Sequence, residues 1–152
     1  IADYNEAIQL GYSKSPVYYN RGLAWANKNE YDKALEDYTE AIRRDPKNPI
    51  IFYNRGIVWS KTKDYDKAIS IKPDFFRAYA YKAFLNLERG QFEKALELSS
   101  TAININPQYG YAYLVRAQVK QKMGIPDFCM DYYSAKSYGE PHATEGVRLY
   151  CK

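Results

Sequence analysis

The chain has 152 residues, with 22 Lys+Arg against 18 Asp+Glu, one His and a formal net charge of +4. That length suits one domain with a real core, and 46% hydrophobic with 26% charged residues excludes a disordered tail. No apolar run approaches the roughly 20 residues of a spanning helix, and two Cys with one His exclude a four-ligand Cys/His zinc site and a disulfide-dense scaffold. Seventeen tyrosines are more hydroxyls than an ordinary core needs, so surface or groove tyrosines are expected.

The opening residues IADYNEAIQL read as helix, with Ile1, Tyr4, Ala7 and Ile8 on one face. A chain that begins in mid-helix, without Met or signal peptide, is expected to be a fragment of a longer one. Residues 1–14 are then the second helix of a truncated unit. The next unit, 15–48, reads as two helices. Its first carries Tyr18 and Gly22, an aromatic followed four residues on by a small residue that lets a second helix approach. After the polar break Lys28-Asn29-Glu30, the second presents Tyr31, Ala34, Leu35, Tyr38, Ala41 and Ile42 as an apolar stripe. Pro46 stops it, because proline cannot continue a helix.

The unit 49–75 repeats this pattern. Asn54, Gly56, Trp59, Tyr65 and Ala68 follow Asn20, Gly22, Trp25, Tyr31 and Ala34 at a spacing of 34. The same spacing links Ala83 to Ala117, Gly90 to Gly124 and Pro73 to Pro107, giving units 76–109 and 110–139. Residues 140–152 form a capping helix, with Ala143, Val147, Leu149 and Tyr150 as its apolar contacts. Such a helix shields the last hairpin of a stack from water. Tyr4, Tyr31, Tyr38 and Tyr65 are expected to pack between helices.

One interval breaks the period: Pro46 to Pro73 spans 27 residues, seven short of 34. Seven residues are nearly two helical turns, so the apolar stripe stays in phase to about 20°. Ala68 can then play the part of Ala34 or of Ala41. A true deletion leaves a stubby helix near 65–72 and a kink, and such a dislocation can recruit a second copy that exchanges elements. An omitted, renumbered stretch is the other reading, and an overlong Cα–Cα step within 60–75 would reveal it.

Catalysis finds little support, and the chain is expected not to be an enzyme and to need no cofactor or metal. His142 is the only histidine and lies beside the cap helix, and there is no G-x-G-x-x-G, P-loop or EF-hand loop. The acids sit at helical spacing with lysines, as in Glu30, Lys33, Asp37 and Glu40, which is a solvated face. Nucleic acid is not expected either. The charge is mild, Arg43-Arg44 is followed by Asp45, and no basic stripe runs along the chain.

These in-phase repeats are similar to the tetratricopeptide (TPR) family over residues 1 to about 138. The triplets Asn20-Arg21-Gly22 and Asn54-Arg55-Gly56 resemble a common bacterial flavour of the repeat. The resemblance implies an all-α, right-handed superhelical solenoid of antiparallel helix pairs with a C-terminal capping helix. Its concave groove would be lined by the first helix of each pair. Carried over residue by residue, the groove takes Tyr19, Asn20 and Leu23, then Tyr53, Asn54 and Ile57, then Arg77, Phe84 and Leu87, then Tyr111 and Leu114. Asn20 and Asn54 resemble the asparagine ladder of some TPR domains, where an amide grips a peptide backbone. Equally, they can hydrogen-bond within the stack. Tyr81 and Val115 end the ladder after two rungs.

The carboxylate clamp of heat-shock-chaperone TPR domains is not matched. Tyr19 and Leu23 stand where its first Lys and Asn would be, and Tyr81 replaces its Arg. Only Asn54 and Arg77 remain. The implied function is therefore a protein-interaction scaffold or adaptor holding an apolar peptide or amphipathic helix. An assembly or secretion chaperone, or a targeting or regulatory domain of a larger enzyme, is the alternative. Arg21 and Arg55 are expected to pair with Asp3 and Asp37. Cys129 and Cys151 could form a disulfide, although one buried and one frayed thiol is the preferred reading. The compartment stays open: the cytoplasm is the default, and an exported or periplasmic location follows if the two cysteines are bonded.

Overall fold

The computed structural model describes residues 1–59 and 62–151, with only the backbone of Thr62. The described residues are all helix and loop and divide into two compact units, Ile1–Pro73 and Asp74–Lys152. The first holds α1 (Ala2–Gln9), α2 (Ser15–Asn27), α3 (Tyr31–Arg44), α4 (Pro49–Trp59) and α5 (Thr62–Ile71). The second holds α6 (Phe76–Glu88), α7 (Phe92–Ile105), α8 (Gly110–Met123), α9 (Phe128–Ser137) and α10 (Ala143–Tyr150). Successive helices pack as antiparallel pairs, α2 with α3, α4 with α5, α6 with α7 and α8 with α9, and α10 lies on α9. The fold class is an all-α helical-repeat solenoid with a distinct terminal helix.

Local chemistry explains the hairpins. Pro16 sits in the first turn of α2, where no amide hydrogen is needed. The turns to the second helices need a left-handed residue, supplied by Asn29 (φ 61°), Gly90 (φ 70°) and Gly124 (φ 70°). In both pairs of the first unit a glycine meets a large ring. A Cβ on Gly22 would lie 2.8 Å from the Tyr38 ring, and one on Gly56 would lie 3.0 Å from Tyr65. Both tyrosines are 1% exposed. Sixteen residues after Ala83 stands fully buried Ser99, where Tyr38 stands sixteen after Gly22. The α6–α7 pair thus has small residues at both of the positions that hold a glycine and a ring in α2–α3.

The arginines close the hairpins, but not as expected from sequence. Arg21 grips Asp37 with Nε at 2.8 Å and Nη2 at 2.7 Å, and its Nη1 donates to Asn5 at 2.8 Å. Arg55 grips Asp64 in the same way, at 2.9 and 2.7 Å, and Arg116 grips Asp131 at 2.8 and 2.6 Å. The expected partners Asp3 and Asp37 are corrected to Asp37 and Asp64. Each guanidinium reaches forward to the second helix of its own pair, which packs closer than the helix before it.

The pairing also locates the missing heptad. Arg21 to Asp37 is 16 residues and Arg55 to Asp64 is nine. Gly22 to Tyr38 is again 16 and Gly56 to Tyr65 nine. The shortening therefore falls between Gly56 and Asp64, and Ala68 takes the place of Ala41, not Ala34. Accordingly α5 has 10 residues where α3 has 14. Residues 60 and 61, within the stretch where an omission would show, lie outside the described residues. Tyr31, expected in the packing, is 50% exposed and donates its hydroxyl to Asn29 Oδ1 at 2.8 Å.

Candidate functional site: the faces of the first helices

In the first unit, α2 carries Tyr19, Asn20 and Leu23, and α4 carries Tyr53, Asn54 and Ile57. Leu23, Asn54 and Ile57 come together with Tyr38 and Val58 around a cavity of about 440 Å³. Tyr19 and Tyr53 instead lean on the packing tyrosines, 6.1 Å from Tyr38 and 6.2 Å from Tyr65 between ring centroids. Burial pushes the Tyr19 hydroxyl above its ordinary pKa. The Asn54 amide is already engaged: its Nδ2 donates to Tyr19 Oη at 3.1 Å and to the Ile50 carbonyl at 2.9 Å. The Asn20 side chain makes no hydrogen bond among the described residues and does not line the cavity.

In the second unit, Phe84, Leu87 and Leu114 share one cavity of about 970 Å³. Leu87 and Leu114 are only 9% and 4% exposed, so they form its floor. The far wall is α10, through Glu145, Leu149 and Tyr150, with exposed His142 at the rim. Sequence reasoning placed α10 as a cap and missed this role. Leu149 and Tyr150, expected as its buried contacts, are 46% and 50% exposed, and the buried positions are Ala143 and Gly146.

Tyr111 lies beside the cavity in an aromatic cluster, 4.9 Å from Tyr81 and 6.4 Å from Phe84. Tyr109 continues the cluster, 6.2 Å from Tyr111 and 4.9 Å from Phe76. Burial first, then the neighbouring Tyr81, pushes Tyr109 up to about 12. Tyr81, Tyr109 and Phe76 were not singled out as site residues. Their signal was aromatic density on two first helices. Arg77 is exposed and lies over the Phe76 ring at 5.3 Å, away from the cavity. Among the described residues no group of three or more His, Cys, Asp or Glu could hold a metal ion. No described helix is long and apolar enough to cross a membrane.

The cap is tied covalently. Cys129 on α9 and Cys151, just past α10, form a disulfide with their Cα atoms 5.5 Å apart. The preferred reading of two free thiols is corrected. The packing of α10 on α9 brings the two side chains within bonding reach, which helix pattern alone did not fix.

These paired helices have the architecture of a helical-repeat protein. Residues 15–48 and 64–97 each match a tetratricopeptide repeat family, and these segments are tetratricopeptide repeats. No curated protein matches the chain. Solved structures share its fold. MamA is 17% identical with a TM-score of 0.78, covering 93% of this chain and 87% of MamA. YrrB, described as a TPR protein with an unusual peptide-binding site, is 19% identical with a TM-score of 0.73, covering 97% of this chain and 81% of that one. The first TPR of Spaghetti (RPAP3), bound to an HSP90 peptide, is 19% identical with a TM-score of 0.70, covering 73% and 94%.

Proposed function

We propose that this protein is a scaffold or adaptor that binds an apolar peptide or amphipathic helix on the faces of its first helices. The observation that carries the reading is the 970 Å³ cavity of the second unit, where the apolar Phe84, Leu87 and Leu114 lie inside a polar surround of Glu88, Gln118, Gln121, Lys122 and Glu145, a lining suited to an amphipathic segment. A peptide-bound relative, the RPAP3 domain, supports peptide binding as the mode. The chemistry here differs from a carboxylate clamp: Tyr19, Leu23 and Tyr81 occupy clamp positions, and Asn54 is already bonded to Tyr19 and Ile50. An apolar partner, with much ring area presented at little entropy cost, fits better.

A dedicated assembly or secretion chaperone is the narrower form of this reading, and a regulatory domain of a larger enzyme is the broader one. The Asn-Arg-Gly triplets support a bacterial-type repeat. The disulfide supports an exported or periplasmic location over the cytoplasm. Element exchange between two copies at the shortened α4–α5 pair is the oligomeric form we propose, and sedimentation velocity tests it.

The binding test is a displayed-peptide selection on the folded protein. Enriched peptides should be apolar, and Phe84→Ala should weaken them at least tenfold. Asn20→Ala with Asn54→Ala, and Tyr53→Ala, report separately on the first unit. Absence of enrichment on folded protein, or peptides indifferent to all three changes, would overturn the groove as a peptide site.

A further inference from the structure

The disulfide lies where the sequence makes the cap weakest. The terminal helix α10 has eight residues, well short of the roughly 12–15 at which an isolated helix holds even marginally. Its N-cap residue, His142, makes no side-chain capping bond. Its two buried residues are Ala143 and Gly146, the smallest side chains available. Gly146 is there because Tyr132 leaves no room: a Cβ would lie 2.3 Å from that ring. A glycine in mid-helix costs about 1 kcal/mol of helix stability relative to alanine. The larger apolar groups, Leu149 and Tyr150, are half-exposed.

Beneath this weakly held helix lies a surface that water would otherwise reach. Tyr132 is 3% exposed, stacked on Tyr150 at 6.2 Å and hydrogen-bonded to Gln121 Oε1 at 2.9 Å. Leu114, Ala117 and Ala135 are buried in the same cluster. The same helix is one wall of the 970 Å³ cavity. The bond between Cys129 and Cys151 closes the 22-residue stretch that contains the whole cap. Both cysteines keep part of their surface in solvent, so a thiolate can reach them.

We propose that Cys129–Cys151 is a redox latch: a dithiol reductant opens it, α10 undocks, and the cavity wall is withdrawn. A thiolate of the dithiol attacks one sulfur, and the S–S bond breaks through a mixed disulfide. The second thiol of the reductant then displaces it. Two electrons and two protons pass to the protein as two Cys thiols, and the dithiol leaves as its cyclic disulfide. A closed 22-residue loop is worth on the order of a hundredfold in the docking equilibrium, and that factor is lost on reduction.

The test needs no ligand, so it stands apart from the binding reading. Amide hydrogen exchange is followed by mass spectrometry on the whole protein, oxidised and after dithiothreitol, and on Cys151→Ser. The expected result is that protection of residues 143–151 falls about a hundredfold on reduction and equally in Cys151→Ser. Protection of α6 to α8 should be unchanged, and reoxidation should restore the cap. Unchanged protection of 143–151 on reduction would overturn the latch. So would loss of protection throughout the second unit, because the bond would then be a staple of the whole unit.

Discussion

Arg21 shows how one residue sets the register of a hairpin. Its planar fork satisfies both carboxylate oxygens of Asp37 and still reaches Asn5 on α1. Donating hydrogen bonds to the Asp37 carboxylate raises the Arg21 pKa, against burial, which lowers it. The two partners are unequally buried: the side chain of Asp37 is 5% exposed and that of Arg21 is 21%. Removing the arginine strands a buried carboxylate, whereas removing the aspartate leaves a cation that can turn to water. We therefore expect Arg21→Ala to cost about 3 kcal/mol and Asp37→Ala clearly less. Urea unfolding of both single variants and the double variant measures this. Equal costs, or an Arg21→Ala cost under about 1 kcal/mol, would show that the pair is not what registers α2 on α3.

At the scale of elements, what decides packing is the approach distance that small residues permit. Gly146 brings α10 down onto Tyr132, whose ring is held by Gln121 and by Phe128 at 6.2 Å. Alanine there favours helix but collides with a ring that has nowhere to go. Gly146→Ala should destabilise the second unit by about 2 kcal/mol. Tyr132→Leu in the same chain should make the added methyl nearly neutral. Thermal midpoints of the four combinations check this. A stabilising Gly146→Ala would mean that helix propensity outweighs the contact.

The shortened pair follows the same logic. Between Gly56 and Asp64 the second pair is seven residues shorter than the first, yet Tyr65 still lies under Gly56 and Asp64 still meets Arg55.

For the molecule as a whole, burial of tyrosine hydroxyls sets an alkaline limit. Tyr38 in the first unit and Tyr109 in the second are both pushed up to about 12, chiefly by burial and then by neighbouring tyrosines. An unfolded tyrosine ionises near pH 10. Between pH 10 and 12 the unfolded chain has released these protons while the folded chain keeps them, so stability falls as pH rises. Below pH 10 both states hold them, and this contribution is fully present and constant. The urea midpoint should therefore be insensitive to these tyrosines up to about pH 10 and drop steeply above it. Tyr38→Phe should remove part of that drop. If it leaves the slope between pH 10 and 11.5 unchanged, Tyr38 is not one of the groups responsible.

The groove residues came from the family resemblance and the capping helix from the need to shield a last hairpin, whereas periodicity alone determined the repeat unit and the helix pairs. These are properties of spacing, and a spacing of 34 with a 3.6-residue turn leaves little choice. The Gly–Tyr contacts were half legible: Gly22 and Gly56 marked close approach, but the ring that fills each space lies on another helix. Four matters waited for the tertiary structure. The partners of Arg21 and Arg55 depend on which of two flanking helices lies nearer, and sequence separation does not order those distances. The engagement of Asn54 by Tyr19 depends on two helices meeting side by side. The Cys129–Cys151 bond depends on α10 folding back over α9. The role of α10 as a cavity wall depends on where that fold leaves Leu149 and Tyr150. Each is a meeting of residues far apart in the chain, set by packing between elements and carried by no local pattern.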